Sequence, residues 1–102
     1  MFDYLFANHV YEESYIIERS KNSEYFFGLL FEKYYNRIMK YCIYHKLHHS
    51  EAEDICSQVF MTLVDKIQDF ECKKEKWFEY WIFRIAFYHI SNLKKYSYNY
   101  IE

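Results

Sequence analysis

The sequence predicts an all-α domain, a compact bundle of about four helices. The chain of 102 residues has no proline and one glycine, Gly28, and the turns of sheets depend on these two residue types. Apolar side chains recur at steps of three and four residues, which is the spacing of a helix face. Hydrophobic residues make up 52% of the chain. A chain of this length buries one core and not two.

The first half of the chain predicts two helices. The first covers 11–19, and the second runs from about 24 to 46 after a polar break at 20–23. The second helix carries apolar residues at helical spacing. These are Phe27, Leu30, Phe31, Tyr34, Ile38, Tyr41 and Cys42.

The third predicted helix has the clearest start signal. Ser50 and Glu53 have the spacing of a capping box, in which each side chain bonds the other residue's backbone N–H. An amphipathic stripe follows and predicts a helix that ends near Asp69. The stripe consists of Ala52, Ile55, Cys56, Val59, Phe60, Leu63, Val64 and Ile67. The opposite face is polar, with Met61 in its centre.

The fourth predicted helix, from about 76 to 95, is apolar almost all round. Its inner side is expected to hold Trp77, Phe78, Trp81, Ile82, Ile85 and Tyr88. Its outer side holds Tyr80, Arg84, Phe87, Ser91, Lys94 and Lys95. A four-helix domain buries only one of these sides, so the second is exposed or covered by a partner. The alternative is that Tyr80 and Phe87 pack against the first helix.

The charges divide the chain into an acidic body and one basic segment. Residues 1–72 hold seven basic and twelve acidic side chains, and residues 73–95 hold six basic and two acidic ones. This asymmetry predicts two different partner surfaces. Aromatic rings interleaved with Arg and Lys suit single-stranded nucleic acid, because rings stack on bases while cations bind phosphates.

The cysteines predict a reduced, cytoplasmic protein. Cys42, Cys56 and Cys72 form neither a disulfide framework nor a zinc pattern. The first two are expected to be small core residues, and Cys72 is expected to be exposed. The early acidic residues argue against a signal peptide. The longest apolar run, 80–90, is too short to span a bilayer.

A metal centre and a catalytic site were the sharpest alternatives. His45, His48 and His49 lie near Glu51, Glu53 and Asp54, but their spacing matches no zinc pattern. Asp54, Asp65 and Asp69 lie along a solvated face without an evident pocket. The sequence therefore predicts no metal, no cofactor and no enzymatic activity.

Four segments occur together in a familiar order. They are 31–35 (FEKYY), 50–55 (SEAEDI), 58–60 (QVF) and 81–86 (WIFRIA). This set resembles region 2 of bacterial RNA polymerase sigma factors of the sigma-70 family, in the extracytoplasmic-function-like form. The resemblance covers roughly residues 12–95 and implies a compact helical fold.

The resemblance implies a sigma factor domain for transcription initiation. In this family the second and third helices dock on the clamp helices of the largest subunit of core RNA polymerase. The matching positions for polymerase binding are Asp54, Ser57, Gln58, Met61 and Asp65. An anti-sigma factor is a further partner that the family implies.

The resemblance also implies promoter binding. The connection after the third helix and the fourth helix would recognise and help melt the −10 element, by binding its non-template strand with one base flipped from the stack. The matching DNA-binding positions are Lys73, Lys74, Lys76, Trp77, Tyr80, Arg84, Phe87, Asn92, Lys94 and Lys95.

The sequence departs from the family pattern at several positions. Phe87 and Tyr88 stand where the family commonly shows Arg-Asn, Val64 where it often shows Trp, and Asn92 where it often shows Asp. The missing Arg-Asn pair and the acidic body of the chain favour one alternative function. It is a sigma-like interaction module that binds polymerase or an anti-sigma partner without reading DNA.

The expected domain covers residues 1–95, and residues 96–102 would begin an interdomain linker or form a tail. The family's domain for the −35 element does not follow in this sequence. Both an excised domain and a truncated stand-alone form fit this pattern, and an excised domain is favoured.

Overall fold

The computed structural model of the chain describes residues 12–74 and 76–101, with side chains as far as Lys95. The described residues form four helices and one short 3₁₀ turn, and they include no strand, which confirms the predicted all-α fold. The helices are α1 (Glu13–Ser20), α2 (Glu24–Tyr44), α3 (His49–Lys66) and α4 (Trp77–Ile101), with the 3₁₀ turn at Ile67–Asp69.

Two predicted helix ends differ from the structure. α4 continues to Ile101, beyond the predicted end near residue 95, since no proline or glycine interrupts 96–101. α2 ends at Tyr44 rather than at residue 46, because Lys46 has a left-handed backbone (φ 71°). The predicted start of α1 at residue 11 lies outside the described residues.

The capping box of α3 lies two residues earlier than predicted. His48 has extended backbone and precedes the helix, and the Glu51 carboxylate accepts a hydrogen bond from the His48 backbone N–H at 2.8 Å. Ser50 is already inside the helix, so it cannot act as the cap. Glu53 instead lies 3.3 Å from His49 Nε2.

The core is formed by one side of each helix. α4 contributes Phe78, Ile82, Ala86 and Ile90, at the i, i+4 spacing that places residues on one face. From α2 the buried residues include Leu30, Tyr34, Ile38 and Cys42. From α3 they are Ala52, Ile55, Cys56, Val59, Phe60 and Leu63.

Four residues predicted to face inward are instead exposed. Phe31, Val64, Trp77 and Tyr88 have exposed fractions of 41%, 57%, 43% and 61%. Phe31 still contacts Phe60 of α3, with ring centroids 4.7 Å apart, so its exposure is partial. Trp81 and Ile85, predicted to be inner residues, are half-buried.

A buried hydroxyl joins α1 to α2. The Tyr34 side chain is fully buried, and its hydroxyl donates to Glu13 Oε2 at 2.9 Å. Burial and the neighbouring carboxylate both raise the pKa of Tyr34. Lys33 also forms an ion pair with Glu13. The hydrogen bond satisfies the Tyr34 hydroxyl, which would otherwise be costly to bury.

Two lysines have a left-handed backbone. Lys46 lies in the turn after α2 with φ 71°, and Lys76 lies immediately before α4 with φ 69°. Glycine adopts this conformation without steric cost, whereas a residue with a Cβ does not. Both turns therefore carry a charged side chain at a position that favours glycine.

None of the helices described here is both long and apolar enough to cross a bilayer.

One polar contact links α3 to α4 and generates a prediction on pH. Thr62 Oγ1 lies 3.0 Å from His89 Nε2, and burial lowers the pKa of His89 below its usual value of 6.5. Below about pH 6.5 the unfolded chain therefore binds more protons than the folded chain. The free energy of unfolding should decrease as the pH falls through this range. Thermal melting of the wild-type chain at pH 7.5 and pH 5.5, beside His89→Gln, measures this. We expect a smaller pH dependence in the variant, and an equal one would contradict the assignment.

Candidate nucleic-acid and protein interfaces

An aromatic and basic row lies on the outer side of α4. This α4 row consists of Trp77, Tyr80, Arg84, Phe87, Ser91, Lys94 and Lys95, all exposed. Tyr80 is 66% exposed and Phe87 is 53% exposed, so the alternative that both rings pack against the first helix is wrong. The row lies opposite the Phe78–Ile90 face that fills the core, as the helical period requires. Within the described residues Arg84 forms no ion pair.

An open groove adjoins the first turns of α4. This loop groove has a volume of about 640 Å³. It is lined by Lys66, Asp69, Phe70, Glu71, Lys73, Trp77, Tyr80, Trp81 and Arg84. Phe70 and Trp81 stack in it, with ring centroids 4.4 Å apart and planes inclined by 22°. The groove therefore combines a stacked aromatic pair with exposed rings and cations at its rim.

Lys21, in the turn between α1 and α2, forms hydrogen bonds with the segment that lines the loop groove. Its Nζ donates to the backbone carbonyl of Phe70 at 2.6 Å and to Glu18 Oε2 at 3.1 Å. In return, Gln68 Nε2 donates to the carbonyl of Lys21 at 2.6 Å. The Lys21 side chain is only 14% exposed, so solvent competes weakly for these bonds. The turn between α1 and α2 thus fixes the position of Phe70.

The polar face of α3 is exposed to solvent and takes no part in the core. All five residues predicted to bind polymerase are exposed, namely Asp54, Ser57, Gln58, Met61 and Asp65. Met61 is 69% exposed, which makes it an apolar contact among polar side chains, with the exposed Val64 one turn later. This pattern is typical of protein interfaces, whose apolar centre has a polar rim.

α2 carries an apolar row that the sequence reasoning missed. Every fourth residue of α2 from Phe27 to Ile43 is apolar, and none is fully buried. The α2 apolar row consists of Phe27, Phe31, Tyr35, Met39 and Ile43. It lines two open grooves between α2 and α3, of about 520 and 610 Å³. The i, i+4 repeat is visible in the sequence, but the buried row of α2 has apolar residues at the same spacing, so the sequence does not separate the two rows.

The residues predicted to bind DNA are all exposed, but they do not form one continuous line. Lys73, Lys74 and Lys76 lie in the connection that precedes α4, and Lys73 lines the loop groove. Asn92 lies apart from the α4 row, rotated toward the side where Trp81 lies. Tyr88, which was predicted to be buried, flanks the row instead. Lys66 and Phe70 line the groove and had not been predicted.

The cysteines and histidines form no metal-ligating cluster in the described residues. Cys42 and Cys56 are buried, which confirms their prediction as core residues. Burial raises the pKa of Cys42 to about 11 and that of Cys56 to about 12. Cys72 is half-buried rather than exposed, with its Sγ 3.7 Å from the carbonyl oxygen of Lys74.

The chain folds as an all-α domain with a polar exposed face on α3 and an aromatic and basic exposed face on α4. The family model for sigma-70 region 2 matches residues 30–95, which is more than half of the chain. The chain therefore belongs to the sigma-70 family, as a region 2 domain, and the resemblance found in the sequence is confirmed. No curated protein and no solved structure matches the chain significantly.

Membership of this family sets the general function. Sigma-70 region 2 is a non-catalytic domain of a sigma factor, and it acts in transcription initiation with RNA polymerase and promoter DNA. The matched range contains α3, the connection and the described side chains of α4. α1 and Lys21 precede it.

The Lys21 contact predicts how tightly the connection is held. Lys21→Met removes a charge-assisted hydrogen bond to the Phe70 carbonyl and should cost about 2 kcal/mol of unfolding free energy. The loosened connection should also expose the Cys72 thiol, so Ellman's reagent should modify it faster in the folded variant. Cys42 and Cys56 should stay unreactive at pH 8, since the thiolate is the reactive form. Lys94→Met, which changes an exposed lysine of α4, is the control. Equal rates for Cys72 in both variants would contradict this role.

Proposed function

We propose that this domain docks on core RNA polymerase through α3 and uses the α4 row and the loop groove on promoter DNA. The partner of α3 would be the clamp helices of the polymerase's largest subunit. The partner of α4 would be the non-template strand of the −10 element, which the domain helps to melt. This is the arrangement of the extracytoplasmic-function-like form, acting in the cytoplasm. One observation carries the proposal: α3 and α4 each bury one side and leave a chemically distinct second side exposed.

The docking proposal rests on the pairing of two surfaces. The exposed face around Asp54, Gln58 and Met61 supplies polar contacts and one apolar anchor. The α2 apolar row adds two open grooves lined by apolar side chains, and grooves of this kind can hold the apolar side of a partner helix. A pair of clamp helices would therefore contact both helices, with the acidic residues of α3 attracting basic residues of the partner.

The DNA proposal rests on rings and cations in one row. Tyr80 and Phe87 offer exposed faces for stacking, which contributes about 1–3 kcal/mol per base. Arg84, Lys94 and Lys95 lie between and beyond them, where phosphates would run. No carboxylate interrupts the chain from residue 80 to residue 95, so the row does not repel a phosphate backbone.

The loop groove is the proposed place for a flipped base. Removing a base from the stack costs a few kcal/mol, which a pocket must repay. The stacked pair of Phe70 and Trp81 gives the groove an aromatic floor that needs no rearrangement. Asp69 and Glu71 lie in the same lining and could accept hydrogen bonds from an exocyclic amine of cytosine or adenine.

The alternative function keeps the docking face and omits the DNA. Phe87 and Tyr88 are exposed apolar rings at positions where the family commonly has Arg-Asn. They would suit an anti-sigma or another protein partner better than a polar base edge. Salt dependence separates the two cases, since only phosphate binding releases many counterions.

Polymerase capture tests the docking face. Immobilised wild-type chain should retain purified core RNA polymerase, and Asp54→Arg should weaken retention by about tenfold, because it reverses a charge at the proposed interface. The matched charge reversal Lys74→Glu, in the connection, should leave retention unchanged. Equal losses in both variants, or retention unaffected by Asp54→Arg, would contradict the division into two faces.

The lysines of the connection test the DNA face. The test uses the domain bound to core polymerase and measures its binding constant K for a single strand with the −10 sequence. A plot of log K against the logarithm of the salt concentration should fall linearly. Replacing Lys73, Lys74 and Lys76 by glutamine should reduce that slope by about 2, at roughly 0.7 per phosphate contact of a single strand. Polymerase capture serves as the control and should be retained. A slope that stays unchanged would favour the interaction module.

A further inference from the structure

A cluster of aromatic rings lies where the end of α2 meets α4. His45 contacts the rings of Tyr41, Tyr44 and Phe87, with centroids 4.6, 5.4 and 6.2 Å away. All three contacts are edge-to-face. Tyr41 in turn contacts Phe83 of α4 at 5.1 Å. These contacts hold the cluster in place and join it to the α4 row through Phe87.

The outer rings of this cluster are open to solvent. Tyr44 is 78% exposed and Phe87 is 53% exposed, while His45 between them is half-buried. Large exposed rings cost solubility unless a partner covers them. None of the core contacts of α2 requires Tyr44, so a structural role does not account for it.

The charge around the cluster selects the kind of partner. Residues 33–50 contain four basic residues and no carboxylate, although the body of the chain is acidic. Arg37 is paired with Glu79 at 3.0 Å and Lys33 with Glu13. Lys40, one turn before Tyr44, and Lys46, next to His45, form no ion pair within the described residues. Lysines beside exposed rings are the pattern that binds single-stranded nucleic acid.

We propose that Tyr44, His45 and Phe87 form a second stacking site for single-stranded DNA, on the end of α2. Tyr44 would stack on a base, and Lys40 and Lys46 would bind the adjoining phosphates. The strand would thus pass from the α4 row across Phe87 onto α2. This inference rests on the proposed DNA function of α4 and extends its surface to a second helix.

The test is binding of a fluorescently labelled oligo(dT) strand to the full chain at low salt, followed by fluorescence anisotropy. Tyr44→Ala should weaken binding by about tenfold, the loss expected for one stacked base. Tyr44→Phe keeps the ring and should bind like the wild type. The matched control is Tyr25→Ala, because Tyr25 is an exposed tyrosine (53%) at the other end of the same helix, beside Glu24. Circular dichroism of each variant verifies that the helices are kept.

Tyr80→Ala distinguishes failure of this inference from failure of the proposed function. If Tyr80→Ala weakens binding and Tyr44→Ala does not, the strand stays on α4 and the second site is overturned. If neither substitution has an effect, the DNA function and the second site both fail. Equal weakening by Tyr44→Ala and Tyr44→Phe would assign the effect to the hydroxyl and overturn stacking. Equal weakening by Tyr25→Ala and Tyr44→Ala would also overturn it, as a nonspecific effect of losing a tyrosine.

Discussion

The position of Phe70 determines how the connection and α4 are arranged. Its ring is 8% exposed, packs edge-on against Phe78 in the core and stacks on Trp81 at the surface. Its carbonyl oxygen accepts a hydrogen bond from the ammonium group of Lys21. A connection without regular structure is thus anchored at its first residue by the core, by α4 and by the turn before α2. The loop groove owes its shape to this anchor, although Phe70 belongs to no helix.

α3 and α4 each bury one side in the core and expose the other. A small domain can therefore present two different binding surfaces. α3 buries its apolar stripe and presents a polar face, while α4 buries Phe78 to Ile90 and presents rings and cations. The contact between Thr62 and His89 joins the two helices on their inner sides. The two surfaces therefore rest on one shared core, and neither could shift without moving the packing under the other.

The helices and most of the core could be predicted from the sequence, because long amphipathic stripes such as that of α3 leave little choice of face. The exposure of residues beside these stripes could not be predicted, since it depends on how far the neighbouring helices extend over Val64 on α3 and over Tyr88 on α4. The cap of α3 was misplaced because Ser50 and Glu53 satisfy the same spacing rule as His48 and Glu51. The residue patterns of both proposed faces could be recognised in the sequence. The tertiary contacts that hold these faces in place could not. Lys21 and Phe70 lie 49 residues apart in sequence, and no local pattern records that contact.

The two left-handed lysines described above imply a conflict between folding and binding. A side chain in this conformation costs roughly 1–2 kcal/mol relative to glycine, so glycine at residues 46 and 76 would make a more robust domain. Yet both residues lie at proposed DNA surfaces, where each supplies a cation. Selection for thermal robustness alone would remove them, and selection for strand binding would keep them. An evolution experiment on this chain would thus reveal, from the fate of two turn residues, which of these demands shaped it.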